Sequence, residues 1–130
     1  MRRAQAGVLG IGLDAVEVER FRSALERRPE LARRLFTAGE LAACAPRRDP
    51  VPGLAARFCA KEAAMKALGV GLGAFGFHDV EVVRTASGRP ELAVTGRARE
   101  RAAALGARRL TVSLTHTARL ASAVVLASGG

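Results

Sequence analysis

Hydrophobic and polar positions in the first part of the chain predict a strand followed by a helix. Small and aliphatic residues alternate from Gly7 to Leu13, which is typical of a buried strand. Asp14 follows directly, and we expect it to end the strand and cap the next helix. Val18, Phe21 and Leu25 then recur at spacings of three and four residues, as on the core-facing side of a helix.

The middle of the chain is predicted to be helical. Pro29 begins a short helical segment that runs through Phe36. Thr37-Ala-Gly-Glu40 forms a capping box, which opens a second short helix. A proline-rich loop extends from Pro46 to Gly53. The longest helix is predicted from Leu54 to Leu68, with Gly69 as its C-terminal cap.

The last part of the chain predicts strands, because its apolar positions mostly alternate with a period of two. Val80 to Thr85 and Pro90 to Thr95 form one predicted hairpin, and Leu110 to Leu114 and Arg119 to Ala127 form another. A helix from Gly96 to Leu105 separates them. This order of elements predicts an α+β fold, in which a mainly antiparallel sheet packs with one long and several short helices.

Length and composition indicate one domain that spans residues 1–130. A hydrophobic share of 49% excludes a disordered chain. The apolar runs are too short to cross a membrane, and Gln5 and several glycines interrupt the first run, so we expect no signal peptide. Cys44 and Cys59 form no Cys-x-x-Cys pair and no cluster with histidine. We therefore expect free thiols in a reducing cytoplasm.

The net charge of +9 favours an anionic partner. A small basic nucleic-acid-binding module is one interpretation of this charge. The chain has no Trp, no Tyr and only five Phe, and it shows neither zinc-finger spacing nor a lysine-rich tail, which argues against that class. A nucleotide, the phosphates of a coenzyme and an acidic protein remain open as partners.

Lysine occurs at only two positions, Lys61 and Lys66, and both lie on the long predicted helix on either side of Glu62. All other basic residues are arginines. A lysine pKa shifts readily, so lysine can give up a proton where arginine cannot. The choice of lysine at these two positions suggests that a side chain of the helix transfers a proton. A solvated Glu62–Lys66 pair at positions i and i+4 explains the same pattern without any function.

Asp14, Glu62 and His116 are the other candidates for chemistry. Two carboxylates on rigid elements suit Mg²⁺, which takes few protein ligands and keeps water and substrate phosphate as the others. His116 lies at the predicted tip of the last hairpin, a position suited to phosphate contact or proton transfer. An N-cap role for Asp14 and a surface-turn role for His116 are the structural alternatives.

Three sequence blocks occur in a specific order. They are Gly10-Ile-Gly-Leu-Asp-Ala-Val-Glu-Val-Glu-Arg-Phe21, then Arg57-Phe-Cys-Ala-Lys-Glu-Ala-Ala-Met-Lys-Ala-Leu-Gly69, then Val112-Ser-Leu-Thr-His-Thr117 followed by Ala-Ser-Ala-Val-Val at 121–125. Together they resemble the holo-acyl-carrier-protein synthase family of 4′-phosphopantetheinyl transferases. The resemblance runs from about Gly7 to Ala127, with residues 1–6 as a short extra leader. It is poor in the loop 44–53, and Cys59 replaces the usual alanine.

The resemblance implies transfer of the 4′-phosphopantetheine arm of coenzyme A to a serine of an apo acyl carrier protein, with release of adenosine 3′,5′-bisphosphate. It implies that Asp14 and Glu62 bind Mg²⁺ and that Lys66 stabilises or protonates the departing phosphate. The general base is then either Glu62 or a metal-bound hydroxide. The implied catalytic residues are Glu62, Lys66 and His116, and the implied contacts to coenzyme A are Arg57, Lys61, Lys66, Gly69 and His116.

The resemblance also implies a protein partner. The helix that begins in the first block is expected to dock the acidic recognition helix of the carrier, and Arg20 and Arg27 share one face of it. The family is usually a homotrimer with coenzyme A bound between neighbouring subunits. We therefore expect a cytoplasmic homotrimer in fatty-acid or polyketide synthesis, without nucleic-acid or membrane partners. A non-catalytic trimeric scaffold is disfavoured because the carboxylates and Lys66 are intact.

Overall fold

The structure is a computed structural model that describes residues 7–130. The predicted leader, residues 1–6, lies outside the described residues. The elements in chain order are β1 (Val8–Glu17), α1 (Val18–Arg27), α2 (Leu31–Leu35), α3 (Ala38–Cys44), α4 (Val51–Ala67), a 3₁₀ helix (Phe77–Asp79), β2 (Val80–Arg84), β3 (Pro90–Val94), α5 (Gly96–Leu105), β4 (Arg109–His116) and β5 (Leu120–Ser128).

The strands form two sheets, and all their pairings are antiparallel. In the three-stranded sheet β5 lies between β1 and β4, while β2 and β3 form a separate two-stranded sheet. The predicted α+β fold is therefore confirmed. The division into two sheets was not predicted, because hairpin pairing is a local property whereas the relation between hairpins depends on tertiary packing.

The central helix α4 packs on the three-stranded sheet and is buried along most of its length. It begins at Val51, three residues before the predicted start, because a proline at position 52 is tolerated in the first turn of a helix. A Cβ atom on Gly10 or Gly12 of β1 would overlap the carbonyl oxygen of Ala67 or Ala63. The helix therefore lies directly against the backbone of β1.

Two further predicted boundaries are wrong, and both concern residues of the candidate site. β1 continues to Glu17, so Asp14 pairs with Ala123 inside the ladder and does not cap α1. β4 continues to His116, which is the last residue of the strand and not the tip of the turn. In both cases pairing with β5 extends the strand past the local signals for a turn or a cap.

One face of the three-stranded sheet has no covering element within residues 7–130. Ile11 and Leu13 are 63% and 62% exposed, and they pair with Leu126 and Val124 of β5. We call these four residues the outer sheet face. The opposite face is buried against α4, so the strands alternate between a covered and an uncovered side. Within the same residues, no helix is long and apolar enough to cross a membrane.

Candidate active site

Asp14 and Lys66 meet where β1 passes the last turns of α4. Lys66 Nζ donates a hydrogen bond to the carbonyl oxygen of Leu13 at 2.8 Å and lies 3.4 Å from Asp14 Oδ1. The Lys66 side chain is 55% exposed, whereas the Asp14 side chain is 18% exposed. The ammonium group is thus held by the backbone of β1 and is still accessible to a ligand.

Glu62 lies one turn before Lys66 on the same side of α4. Partial burial raises the pKa of the Glu62 carboxyl, and the charge of Asp14 raises it further, while Lys66 has the opposite effect. The two carboxylates are therefore close enough to repel each other. Asp14, Glu62 and Lys66, which come from two distant blocks of the sequence, form one group that we call the carboxylate site.

The carboxylate site fits Mg²⁺ by its donor chemistry. Carboxylate oxygens are the hard ligands that this cation prefers, and a cation would relieve the repulsion that raises the pKa of Glu62. Within residues 7–130, no three His, Cys, Asp or Glu side chains cluster closely enough to hold a metal. The protein thus offers two carboxylates, and the other ligand positions are available to water and substrate phosphate, as is usual for Mg²⁺.

The thiol of Cys59 lies next to the carboxylate site but does not belong to it. Its Sγ is 3.6 Å from the carbonyl oxygen of Ala121, and the side chain has no exposed surface. Burial and the charge of Asp14 raise the pKa of Cys59 to about 12. Cys59 is therefore a neutral packing residue, which agrees with its place at a position where alanine is usual in the family that the sequence resembles.

A second group of polar side chains is basic and lies on another side of α4. Arg57 precedes Glu62 by five positions, which places the two side chains about 140° apart around the helix. Burial lowers the pKa of His116, and the positive charges of Arg47, Arg57 and Arg84 lower it further. His116 is on the α4 side of the sheet, because its strand partner Ala121 is buried on that side. We call these four residues the basic cluster.

Within residues 7–130, the buried guanidinium of Arg57 has no carboxylate as a counter-charge. Its side chain is only 5% exposed, one Nη donates to the carbonyl oxygen of Gly53 at 3.2 Å, and Nε has no hydrogen-bond partner. No carboxylate within residues 7–130 forms an ion pair with it. Burying an uncompensated charge is costly, so an anionic ligand at this position would stabilise the guanidinium.

Lys61 belongs to neither group, which corrects the prediction that it contacts a phosphate. Its side chain has no exposed surface, and Nζ lies 2.8 Å from Glu40 Oε1. The ammonium also donates to the carbonyl oxygens of Phe77 and Val80 at 2.8 and 2.6 Å. All three donors are occupied by protein. The sequence did not reveal this, because Glu40 was recognised only as part of a capping box.

The remaining predicted residues lie on the surface. Gly69 adopts a φ of 72° just after α4, the left-handed conformation that the predicted cap requires. Arg20 and Arg27 are exposed on α1, and Arg20 lies 3.9 Å from Glu17. Arg22 has a different environment: its Nη1 and Nη2 donate to the two carboxylate oxygens of Asp49 at 3.1 and 2.7 Å.

Sequence reasoning missed Arg47 and Arg84 as parts of the basic cluster. Arg47 comes from the loop before α4, and Arg84 ends β2. No spacing in the sequence relates either residue to His116. The only available signal was the basic character of the loop.

Comparison with known proteins gives a consistent result. A family model for the 4′-phosphopantetheinyl transferase superfamily matches residues 10–121. A holo-[acyl-carrier-protein] synthase of Streptomyces coelicolor is 52% identical over 122 residues, which cover 94% of this chain and 98% of that protein. The corresponding protein of Moorella thermoacetica is 45% identical over 119 residues, with coverages of 92% and 93%.

Solved structures share the fold. A holo-[acyl-carrier-protein] synthase from Neisseria meningitidis superposes with a TM-score of 0.85 at 31% identity, covering 94% of this chain and 99% of that one. The Helicobacter pylori enzyme, solved in complex with coenzyme A, superposes with a TM-score of 0.79 at 28% identity, with coverages of 91% and 99%.

Proposed function

The chain belongs to the 4′-phosphopantetheinyl transferase superfamily, and we propose that it transfers the 4′-phosphopantetheine arm of coenzyme A to a serine of an apo acyl carrier protein. The second product is adenosine 3′,5′-bisphosphate. The proposal rests on one observation: the same chain has a carboxylate site and, on another side of α4, a basic cluster that lacks a counter-charge. Coenzyme A has both a pyrophosphate, which suits a metal-binding site, and a separate 3′-phosphate, which suits Arg57.

The reaction is a phosphoryl transfer, in which an enzyme contributes mainly positioning and charge neutralisation. Asp14 and Glu62 would hold Mg²⁺, which would neutralise part of the charge of the pyrophosphate. Lys66, held by the carbonyl oxygen of Leu13, places an ammonium beside that charge and donates a proton to the departing phosphate. We assign to Glu62 the acceptance of the proton that leaves the serine hydroxyl, because it is a carboxylate next to Lys66 in the same site.

The basic cluster is assigned to the 3′-phosphate of coenzyme A. The anion supplies the negative charge that the buried guanidinium of Arg57 lacks. Arg47, Arg57 and Arg84 are all near enough to His116 to lower its pKa, so their charges act on the same region. Neutral His116 donates one ring N–H to a phosphate oxygen. Because the pKa of His116 is lowered, the arginines carry most of the positive charge at neutral pH.

A homotrimer is part of the proposal. The outer sheet face exposes aliphatic side chains, and contact with other copies of the chain would remove this apolar surface from water. The carboxylate site and the basic cluster lie on different sides of α4. A site between neighbouring subunits allows one coenzyme A to contact the carboxylates of one copy and the arginines of another.

The carrier protein is proposed to dock on α1. Arg20 and Arg27 are exposed and lie seven positions apart, so they project from one side of the helix. Their charge complements an acidic helix and would mainly raise the rate of encounter. We place this reaction in the cytoplasm, on a carrier of fatty-acid or polyketide synthesis, within one transferase domain.

Incubation with coenzyme A, Mg²⁺ and a panel of apo carrier proteins tests the proposal, with intact-mass spectrometry as the readout. The expected result is a mass increase of one phosphopantetheine group on at least one carrier, abolished by chelator and by replacement of the carrier serine with alanine. If no carrier gains this mass while the Streptomyces coelicolor relative modifies the same panel, the proposed function is wrong.

The net charge of +9 also fits a second candidate, a nucleic-acid-binding protein. Thermal denaturation separates the two functions, because only a ligand of the folded state raises the melting temperature. We expect stabilisation by coenzyme A with Mg²⁺ and none by duplex or single-stranded DNA. The opposite pattern would favour the second candidate.

A further inference from the structure

The contact between α4 and the three-stranded sheet is built from small side chains, which define the rotation of the helix poorly. The helix is rich in buried alanines, and the facing strands contribute glycines and alanines. Helices normally pack with side-chain ridges inserted into grooves, and small residues provide shallow ridges. Gly10 lies against Ala67 and Gly12 against Ala63 in this contact. The other buried alanines of these elements are Ala55, Ala56, Ala60 and Ala64 on α4 and Ala121, Ala123 and Ala127 on β5.

Few directional contacts cross this interface, one of them the Lys66–Leu13 hydrogen bond, and Lys61 adds further ones to elements outside the three-stranded sheet. Its ammonium lies 2.8 Å from Glu40 Oε1 and donates to the carbonyl oxygens of Phe77 and Val80. The three partners come from α3, the 3₁₀ helix and the first residue of β2. Hydrogen bonds weaken steeply when their geometry changes, so these bonds resist rotation of α4 about its axis.

The Glu40 carboxylate is itself held in place by two backbone N–H groups. Its Oε1 accepts from the backbone N–H of Thr37 at 3.0 Å, and its Oε2 accepts from the backbone N–H of Val82 at 2.8 Å. The Thr37 hydroxyl donates to Glu81 Oε2 at 2.6 Å. The Glu40–Lys61 pair is therefore attached to α3 and β2, neither of which belongs to the three-stranded sheet.

We propose that Lys61 is a positioning residue: the Glu40–Lys61 pair fixes the rotation of α4 and thereby the position of Glu62 and Lys66 relative to Asp14. This rests on the proposed function of the carboxylate site. The helix is about 10–12 Å wide with its side chains, so a rotation of about 15° moves a side-chain tip by about 1.5 Å. A displacement of this size is enough to change a reaction rate by about 10²-fold.

A purely stabilising role explains the pair less well. Removing two charges from water is costly, and replacing a buried ion pair with neutral residues of similar volume is often neutral or stabilising. The best-attested benefit of such a pair is that it selects one arrangement among several similar ones. Where alanines of a helix pack on glycines of a sheet, several rotations of the helix have similar packing. A buried pair that favours one rotation is therefore needed in this structure.

The main test is the double variant Lys61→Met with Glu40→Gln, which removes both charges together and leaves no uncompensated ion in the interior. Mn²⁺ serves as a paramagnetic probe of the carboxylate site, and its affinity is measured without coenzyme A or carrier. We expect the Mn²⁺ dissociation constant to rise about 10-fold and the transfer kcat to fall about 10²-fold. The KM for the carrier is expected to stay unchanged, because the hydrogen bonds and the ion pair of Glu40 and Lys61 go to other elements than α1.

A milder variant and a control accompany the double variant. Glu40→Asp keeps the charge but shortens the side chain, so we expect a smaller loss in the same two quantities. Ala102→Gly, in the buried face of α5, lowers stability through helix propensity at a residue outside the hydrogen bonds of Glu40 and Lys61. All measurements are made well below the melting temperature of each variant.

Three outcomes overturn the proposal. The first is an unchanged Mn²⁺ dissociation constant in the folded double variant. The second is a crystal structure of that variant in which Lys66 Nζ still contacts the Leu13 carbonyl oxygen as it does here, at 2.8 Å. The third is an equal loss in Ala102→Gly, which would reduce the pair to a stabilising role. Intact Mn²⁺ binding by the wild type without transfer to any carrier would instead refute the proposed function and leave the positioning role standing.

Discussion

Gly12 of β1 faces Ala63 of α4 so closely that no side chain fits between them. A Cβ atom on Gly12 would overlap the carbonyl oxygen of Ala63. Asp14 follows Gly12 by two residues and thus has the same orientation on the strand, while Glu62 immediately precedes Ala63. The close approach of the two backbones therefore brings these carboxylates together.

The first prediction concerns this contact. Gly12→Ala should lower the free energy of unfolding by about 3 kcal/mol, because backbone on both sides must shift to accept a methyl group. Urea denaturation followed by far-UV circular dichroism measures the change. Gly71→Ala is the control, since nothing lies within 4 Å of a Cβ there, and its effect should stay within about 0.5 kcal/mol. Equal stability of the two variants would contradict the close approach.

The second prediction uses the raised pKa of Glu62. A carboxyl group whose pKa is raised by folding prefers the protonated form in the folded state, so its ionised form costs stability above that pKa. Without metal, Glu62→Gln should therefore melt at a higher temperature than the wild type at pH 7. The difference should disappear as the pH falls below about 4.5, the ordinary value, where Glu62 is protonated in both states.

Mg²⁺ provides the control for this prediction. It should raise the melting temperature of the wild type at pH 7 and have little effect on Glu62→Gln, because a neutral amide binds the cation weakly. Both experiments use differential scanning calorimetry. A wild type that is already more stable than Glu62→Gln in chelator would contradict the statement that burial and the charge of Asp14 raise the pKa of Glu62.

The third prediction concerns Lys66. Lys66→Arg keeps the positive charge but cannot readily donate a proton, so we expect the transfer rate to fall by about 10²–10⁴-fold. Lys66→Met, which removes the charge as well, should be at least as slow. Steady-state assays by intact mass measure both variants. Wild-type activity in Lys66→Arg would limit Lys66 to electrostatic stabilisation.

The fourth prediction concerns the docking of the carrier on α1. Reversing Arg20 and Arg27 to Glu should raise the KM for the carrier about 10-fold and leave the KM for coenzyme A unchanged. Higher salt should weaken the wild-type encounter in the same direction, because exposed charges are screened beyond about 8–10 Å. The reversal of Arg97 and Arg99 on α5 changes the net charge equally and serves as the control. A carrier KM that responds equally to both reversals would refute docking on α1.

The fifth prediction concerns the outer sheet face. Leu13→Glu places a charge in the proposed subunit interface, so the variant should sediment as a monomer and lose most of its transfer activity. Leu72→Glu is a matched control for oligomeric state, because Leu72 is 70% exposed but lies in a loop away from this face. Analytical ultracentrifugation measures both variants. A monomeric wild type, or an unchanged oligomer in Leu13→Glu, would contradict the proposed trimer.

Local signals in the sequence determined much of the fold. The Thr37 and Glu40 capping box is present with both of its hydrogen bonds, because it depends only on residues three positions apart. The stripe of Val18, Phe21 and Leu25 faces the core for the same reason. The two blocks that contain Asp14 and Glu62 were also recognisable from their residues alone, since their composition and spacing match a known family.

Tertiary structure decided which of these residues act together. Glu40 and Lys61 are 21 positions apart in the sequence, and no local pattern predicts that they form a buried pair in which Lys61 has no exposed surface. His116 turned out to lie beside Arg57 because β5 extends β4 by two residues beyond its predicted end. The physical reason is that helix caps and periodic stripes arise from neighbouring residues, whereas burial and charge environment depend on which elements pack against each other.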